Sequence, residues 1–252
     1  MTQAPNWPKF IRMNVVDLQD FYASPLGKAT HRLLLPKIVP ALKSGADVRI
    51  LGLGYATPYL QAVSGTMAFM LARRGVMHWP VSGAVQSALV DEYDLPLPDH
   101  SIDVAVVIHG LEFTDDPDEM LQELWRVLAP QGRLILVVPN RHGLWSLSDS
   151  SPFGFGQPFS SLQLIRLLKT AQFSLDQMNY GLFMPPWLNL GGLRMAPLVE
   201  KLGAAALGQL SGVLIASATK HIFAYTTGKR LPRSALRLRP ALLGSPRKDF
   251  KG

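Results

Sequence analysis

Three short segments carry residue types that suit proton transfer or the binding of a small ligand. His109 follows an apolar run, and an imidazole changes charge near neutral pH, so it is a candidate general base or a pocket-wall residue. Gly52 and Gly54 follow another apolar run, where glycine permits a tight turn and a close backbone approach to a ligand. Asp91 and Glu92 offer carboxylates that could accept hydrogen bonds or simply be solvated.

A second group of residues is aromatic or polar-tipped and could line a pocket. His78 and Trp79 lie side by side in a stretch rich in Pro and Gly, which favours either a pocket wall or anchoring at the surface. Asn140 and Trp145 follow an apolar run and precede a long aromatic loop. Tyr22 lies in a predicted helix near the N-terminus, where ordinary packing with a solvated tip is the competing interpretation.

Hydrophobic patterning predicts the elements that position these residues. The apolar runs at 102–108 and 134–138 are short and rich in Val and Ile, as is typical of strands buried on both faces of a parallel sheet. Between them, residues 116–128 place apolar side chains at helical spacing, with acids near the start. Residues 129–132 are predicted to turn the chain back. Together these segments form one strand–helix–strand crossover.

This crossover resembles the class I S-adenosylmethionine (SAM)-dependent methyltransferases, especially the small-molecule branch that includes the ubiquinone and menaquinone methyltransferases. The likeness lies in an acid before LPLPD, a buried strand, the loop HGLEF, a helix ending in ELWRVLAPQGRL and a strand ending in Pro-Asn. The resemblance implies SAM as cofactor, with Asp91 at the adenine and His109 near the sulfonium. Cofactor contacts are expected at Gly52, Gly54, Tyr55, Met70, Asp91, Glu92 and His109, and substrate contacts at Tyr22, His78, Trp79, Asn140 and Trp145.

The cofactor motif departs from the family pattern in two places. Ile50 stands where the family has an acid two residues before the first glycine, and Ala56 replaces the third glycine. Residues 67–74 contain no Asp or Glu to hold the two ribose hydroxyls. Losing such contacts costs on the order of 1.5–3 kcal/mol for each hydrogen bond. The sequence therefore predicts a nucleotide that is held differently from the family pattern or is not held.

Composition limits the alternatives. A chain of 252 residues with 48% hydrophobic residues can build a full globular core. The absence of cysteine excludes disulfides, thiolate zinc sites and a Cys nucleophile, and the six scattered histidines predict no metal site. Residues 229–252 hold eight Lys or Arg and one Asp, which equals the whole net charge of +7. This tail is predicted to be solubilising and partly disordered, or to attract anionic lipid or nucleic acid.

We therefore predict an α/β fold, a Rossmann-like, seven-stranded, mostly parallel sheet with helices on both faces. A helical cap is expected in residues 1–45, a methyltransferase-like domain in 46–228 and a flexible basic tail in 229–252. A helical insertion at 184–211, before the last strand, is a lid over an apolar substrate, a subunit interface or a membrane-surface element. The N-terminus lacks a secretory pattern and no transmembrane segment is predicted, so a cytoplasmic protein is expected.

The leading functional hypothesis is SAM-dependent methyl transfer to a small or lipid-like molecule, by in-line displacement with His109 as the candidate base. The alternative is a non-catalytic methyltransferase-like scaffold or regulatory partner, which the missing acids favour. A third hypothesis is a nucleic-acid methyltransferase that uses the basic tail. Expected partners are the substrate, a protein partner or second copy bound through the insertion, and an anionic membrane or nucleic acid bound through the tail.

Overall fold

A computed structural model describes residues 13–42, 47–61, 63, 65–71, 74–149, 151–188, 190–206 and 208–221. The predicted basic tail lies outside these residues. The helices are α1 (Val15–Ala23), α2 (Pro25–Ile38), α3 (Thr57–Leu60), α4 (Pro117–Val127), α5 (Ser161–Thr170), α6 (Leu190–Leu193) and α7 (Ala196–Ala206). The strands are β1 (Ile50–Gly54), β2 (Thr66–Leu71), β3 (Ser87–Val90), β4 (Ile102–Ile108), β5 (Leu128–Pro139), β6 (Phe173–Gly181) and β7 (Val213–Lys220).

The seven strands form one sheet in the order β3-β2-β1-β4-β5-β7-β6. Neighbouring strands from β3 to β5 are parallel, whereas β7 is antiparallel to both β5 and β6. The order reverses between β1 and β4, so the carboxyl ends of these two strands flank the crevice where open α/β sheets bind ligands. This arrangement confirms the predicted Rossmann-like, mostly parallel sheet.

Two apolar layers cover the sheet, which explains the continuous hydrophobic runs in the sequence. In β4, Val104 and Val106 belong to the layer that α1 and α2 complete, while Ala105 and Val107 belong to the layer under α4 and α5. Each of these four side chains is fully buried. A strand whose two faces are both covered cannot alternate polar with apolar residues.

Side-chain caps set the starts of the helices that border the site. Asn14 caps α1 in a capping box with Asp17, and Ser160 caps α5 in another with Gln163. The Asp116 carboxylate accepts the N–H of Glu119 at the start of α4. The predicted helical segment that begins at residue 116 is thereby confirmed, with Asp116 as the N-cap of α4.

Helix α4 ends at Val127, just before the segment 129–132 that was predicted to stop it and turn the chain back, but these four residues belong to β5 and do not form a separate turn. β5 begins at Leu128, which pairs with Ile102, and the pairing register shifts before Val104. Gln131 adopts a left-handed φ of 61° within this irregularity. Pro and Gly therefore mark a distortion inside the strand rather than a break between elements. Between β2 and β3, the described residues 74–86 form no α-helix.

The insertion before β7 carries the helices α6 and α7. Gly203 in α7 packs closely against the ring of Phe183. A Cβ at that position would lie 2.4 Å from a ring atom, so a larger residue would not fit there without a shift. The outer surface of the insertion exposes large apolar side chains over half or more of their area, namely Trp187, Met195, Leu198 and Leu202. Within the described ranges, every helix is too short or too polar to cross a membrane.

Candidate functional site

The turn after β1 brings two strand ends into close contact. Gly54 has φ +80°, and a Cβ there would lie 2.4 Å from the carbonyl oxygen of Ile108. The N–H of Tyr55 donates to the same oxygen at 2.6 Å. A Cβ on Gly52 would lie 2.6 Å from the Leu60 side chain, so this glycine lets α3 pack closely on β1. The predicted Gly-x-Gly turn therefore lies at the switch point of the sheet, as a ligand-binding turn requires.

His109 lies directly after β4 and is held by two side chains. Its backbone is left-handed, with φ 52°, and the residue is 2% exposed. Its Nδ1 lies 3.2 Å from Glu112 Oε1, and its Nε2 lies 3.0 Å from the hydroxyl of Tyr22. Because an ionised carboxylate only accepts hydrogen bonds, Nδ1 carries the hydrogen. In the neutral imidazole, Nε2 then accepts the hydroxyl hydrogen of Tyr22.

Glu112 places a carboxylate in a buried position. The residue is 1% exposed, and Oε2 has no hydrogen-bond partner among the described residues. A buried carboxylate is costly unless it is paired, so Glu112 depends on the N–H of His109. A proton gained by His109 would in turn be stabilised by Glu112. The pair therefore has the arrangement of a base and its orienting acid.

Tyr22 joins the N-terminal helices to this pair. Its ring stacks on Tyr55 with centroids 5.5 Å apart, and its hydroxyl lies 3.2 Å from that of Tyr59. Burial, reinforced by the neighbouring Tyr59, raises the pKa of Tyr22 well above its ordinary value of 10.0. Burial likewise raises the pKa of Tyr55 to about 12. At neutral pH the Tyr22 hydroxyl therefore keeps its proton and can donate it to His109.

A cavity of about 640 Å³ opens beside Tyr22 and Tyr55, within the usual range for ligand pockets. Helix α3 contributes Pro58, and the connection from β2 to β3 contributes Met77 and Val81. Tyr22 belongs to the cavity wall, whereas His109 does not. Tyr22 is therefore the member of the Tyr22–His109–Glu112 cluster that a ligand in this cavity would meet. The remaining wall residues, from α1, α2 and the C-cap of α3, are Gln19, Lys28, His31, Arg32 and Gln61.

A cation lies beyond β2, where the family pattern has a carboxylate. Arg74 Nη1 donates to the carbonyl oxygen of Met13 at 2.6 Å, and its guanidinium lies 4.0 Å from the Phe113 ring centroid. Met70 is 2% exposed, and its sulfur accepts the N–H of Met77 at 3.3 Å. Neither side chain offers a strong acceptor to ribose hydroxyls, because a guanidinium only donates and a thioether accepts weakly.

The end of β3 carries the two predicted cofactor acids. Asp91 is exposed, and one of its carboxylate oxygens accepts the N–H of Tyr93 at 3.0 Å. Glu92 is 7% exposed. The Tyr93 hydroxyl accepts the N–H groups of Asp115 and Asp116, which ties this segment to the start of α4. Asp91 thus presents a carboxylate to solvent from a fixed backbone.

Four predicted substrate residues lie outside the Tyr22–His109–Glu112 cluster. His78 is exposed, while Trp79 is 4% exposed and its backbone N–H donates to the Ser87 hydroxyl. The amide of Asn140 donates to the Ser211 carbonyl at 2.9 Å, which joins the end of β5 to the start of β7. Trp145 is fully buried and its indole N–H donates to the Met184 carbonyl. Their substrate roles stay predictions.

The structure adds two aromatic residues to the site. The hydroxyl of Tyr59 in α3 forms a hydrogen bond with the hydroxyl of Tyr22. The ring centroid of Phe153 lies 4.6 Å from that of His109. Phe153 comes from the aromatic loop after β5. In the same loop, the backbone N–H of Gln157 donates to the carbonyl oxygen of Glu112. The abundance of Phe in this loop was the sequence feature that could have indicated an aromatic residue beside His109. The spacing of Glu112 three residues after His109 was the signal for their pairing.

These residues fit SAM in part. The Gly54 turn leaves no room for a side chain between two strand ends, which suits close backbone approach to a ligand. Asp91 supplies an exposed acceptor at the edge where an adenine amino group is expected. Arg74 and Met70 supply no carboxylate for the ribose. For a bound nucleotide, these residues would leave the turn, the β3 acids and the cavity to take the place of a ribose acid.

Comparison with known proteins identifies the class. Residues 59–136 match a family described as "Methyltransferase domain". A solved SAM-dependent methyltransferase from Thermotoga maritima aligns with 82% of this chain and 96% of its own, at a TM-score of 0.57 and 18% identity, which shows a shared fold. The matched segment and the shared fold support a class I SAM-dependent methyltransferase domain, a family whose cofactor is S-adenosyl-L-methionine.

Two curated proteins are similar over the same central region. An S-adenosylmethionine-dependent methyltransferase of Mycolicibacterium smegmatis is 34% identical over 85 residues, which is 33% of this chain and 33% of that protein. The ubiquinone/menaquinone biosynthesis C-methyltransferase UbiE of Ectopseudomonas mendocina is 33% identical over 78 residues, or 30% of each chain. The matches thus span about a third of the length of these relatives. They confirm the predicted family resemblance, with a UbiE protein among the relatives.

Proposed function

We propose that this chain transfers a methyl group from SAM to a small or lipid-like acceptor. The observation that carries the proposal is the cluster of Tyr22, His109 and Glu112 at the carboxyl ends of β1 and β4. The cluster adjoins the Gly54 turn and the 640 Å³ cavity, so a base and a ligand space meet at the switch point of the sheet. The alignments with methyltransferases supply the reaction class.

The residues proposed to hold SAM are the Gly52–Gly54 turn, Tyr55 and the acids Asp91 and Glu92. When bound, SAM supplies an electrophilic methyl group on a sulfonium centre. The protein's contribution is to position the acceptor and to remove its proton where the acceptor carries one. Burial of the cluster excludes water from the path of that proton.

The geometry supports a proton relay through Tyr22. Tyr22 lines the cavity and His109 does not, so an acceptor in the cavity would exchange its proton with His109 through Tyr22. The acceptor's proton would pass to that oxygen as the Tyr22 hydroxyl proton moves to Nε2 of His109, 3.0 Å away. The resulting imidazolium would be stabilised by the Glu112 carboxylate on Nδ1. Because burial raises the pKa of Tyr22, the phenol would end the step protonated, with the acceptor's proton replacing the one given to His109.

A transfer assay tests the proposal without knowledge of the acceptor. Purified protein is incubated with SAM that carries a radiolabelled methyl group and with a lipid and small-molecule extract of bacterial cells. We expect label to enter the extract, and the His109→Ala variant to transfer at least about a hundredfold less. His100→Ala is a control, since His100 lies on the β5 and β7 side at Leu128 and Lys220. Transfer at equal rates by wild type and His109→Ala would contradict the role of His109.

The second candidate function is a non-catalytic methyltransferase-like partner protein. Arg74 favours it, because a cation engaged with Met13 and Phe113 lies near the position of the ribose acid. The two functions differ in SAM binding. A protein that binds neither SAM nor S-adenosylhomocysteine at millimolar concentration supports the partner function, and micromolar binding supports the enzyme.

A further inference from the structure

A groove lies between α2 and the insertion, away from the Tyr22–His109–Glu112 cluster. Its volume is about 690 Å³. One wall is the apolar side of α2, and the other is the segment from α6 to α7. The apolar lining residues are Pro25, Ala29, Leu33, Leu193, Ala196 and Pro197. A groove of this size and character suits an alkyl chain.

The charged residues at the groove are mostly cationic. Lys28, Arg32 and Arg194 line it, and they are exposed. In the part of the chain that the structure describes, no carboxylate lies within ion-pair distance of these three side chains. They are therefore available to a carboxylate or phosphate, and an arginine can bind either through paired hydrogen bonds.

Among the described residues that line the groove, Glu200 is the acid, and it does not cancel this charge. The Glu200 carboxylate accepts the N–H groups of Leu182 and Phe183 at 3.1 and 3.0 Å. It also forms an ion pair with Lys37 at 3.1 Å. Glu200 is thus engaged in holding α7 against the end of β6. Its charge is compensated by Lys37, so the three exposed cations set the potential of the groove.

The groove adjoins the cavity beside Tyr22. Lys28 and Arg32 line both spaces, so these two cations stand between them. A ligand whose anionic group bonds Lys28 and Arg32 could place an apolar chain between α2 and α7. The rest of the molecule would then face the cavity that Tyr22 borders.

We propose that the groove between α2 and the insertion binds an anionic amphiphile, an alkyl chain that carries a phosphate or carboxylate. The chain occupies the apolar groove, and the anionic group bonds Lys28, Arg32 and Arg194. As a statement about binding, this inference stands on the groove alone. As a statement about the class of methyl acceptor, it rests on the proposed function.

Calorimetric titration with dodecyl phosphate, below its micelle concentration, tests the inference. We expect saturable binding by the full chain, and binding of hexyl phosphate that is weaker by on the order of a hundredfold or more, because six methylene groups no longer leave water. No binding of dodecyl phosphate by the wild type would overturn the inference. Equal affinity for the two chain lengths would also overturn it, since the groove would then bind the phosphate alone.

Two matched pairs of variants locate the site. Arg194→Glu reverses a charge in the groove at a residue that does not line the cavity beside Tyr22, whereas Arg166→Glu makes the same change on the exposed side of α5. Leu193→Gln alters the apolar wall, and Leu162→Gln alters an exposed leucine of α5. We expect the groove variants to bind dodecyl phosphate at least about tenfold more weakly and the α5 variants to bind as the wild type does. Equal affinities within each pair would contradict the assigned site.

SAM binding is measured on the same samples. Loss of dodecyl phosphate binding in the groove variants with unchanged SAM binding supports the groove as a separate site. Failure of the wild type to bind dodecyl phosphate while it binds SAM would overturn the groove inference and leave the proposed function standing. Binding of dodecyl phosphate without SAM binding would support the groove and contradict the proposed function.

Discussion

The hydroxyl of Tyr22 lies 3.0 Å from Nε2 of His109, although 87 residues separate them in the chain. This contact joins the N-terminal helix α1 to the carboxyl end of β4. Tyr22 also lines the adjoining cavity, whereas His109 does not. The N-terminal helices therefore contribute a side chain to the site and do more than cover the sheet.

Replacement of Glu112 by Gln tests the buried pair. The substitution keeps the shape of the side chain but removes the negative charge beside Nδ1 of His109, which lies 3.2 Å from Oε1. We expect kcat for methyl transfer to fall about a hundredfold, with SAM affinity changed less than about threefold, because the charge supports the proton transfer rather than the nucleotide. Glu119→Gln, on the exposed start of α4, is the control. A kcat that is equal in the two variants would remove Glu112 from the mechanism.

Asp91 is expected to contribute to SAM affinity. Its exposed carboxylate follows β3, and a hydrogen bond to a charged group is worth about 1.5–3 kcal/mol. We therefore expect Asp91→Ala to weaken SAM binding about ten- to a hundredfold, as measured by calorimetry. Asp94→Ala removes another exposed acid three residues later and should leave the affinity unchanged. An equal loss in both variants would indicate a general charge effect instead of a contact at Asp91.

The buried tyrosines predict how stability depends on pH. Burial raises the pKa of Tyr55 from 10.0 to about 12, and it raises the pKa values of Tyr22 and Tyr59 as well. Between pH 10 and 12 the unfolded chain loses phenol protons that the folded protein retains. The free energy of unfolding therefore falls as pH rises through this window, by about 1.4 kcal/mol per pH unit for each fully shifted tyrosine. Below pH 10 these groups contribute no pH dependence.

Urea unfolding of wild type and Tyr55→Phe at pH 9, 10, 11 and 12 measures this contribution. The difference between the two proteins isolates Tyr55 from other groups, including Lys220, whose pKa burial lowers and whose effect on stability has the opposite sign. We expect the wild type to lose stability more steeply than the variant above pH 10. Parallel curves for the two proteins would show that Tyr55 titrates normally in the folded state.

Local patterns in the sequence predicted most of the fold. The apolar run Ile102–Ile108 has the bounds of β4, because burial on both faces permits only one kind of sequence there. Asp116 marks the start of α4 because its carboxylate satisfies a free backbone N–H. The start of β5 was misjudged because Pro130 and Gly132, which usually end elements, lie in a strand irregularity that only pairing with β4 reveals.

The site was less predictable because it depends on contacts between distant segments. His109 and Gly54 could be singled out by their positions after buried strands. The bond from Tyr22 to His109 could not be predicted, since it depends on how α1 lies across the sheet. Asn140 and Trp145 look like pocket residues in the sequence. In the structure, their side-chain N–H groups donate hydrogen bonds to the backbone carbonyls of Ser211 and Met184. Sequence position alone does not distinguish a polar group that holds the backbone from one that faces a ligand.

The central claim, that SAM binds at the turn joining β1 to α3, is tested most directly by calorimetry on two glycine variants. Gly54→Ala places a Cβ 2.4 Å from the Ile108 carbonyl oxygen, whereas Gly83→Ala makes the same change at another positive φ, with no atom within 4 Å. We predict micromolar binding of SAM and S-adenosylhomocysteine by the wild type and by Gly83→Ala, and binding at least about tenfold weaker by a folded Gly54→Ala. Absence of heat with the wild type at millimolar ligand, or equal affinity in the two variants, would contradict the claim.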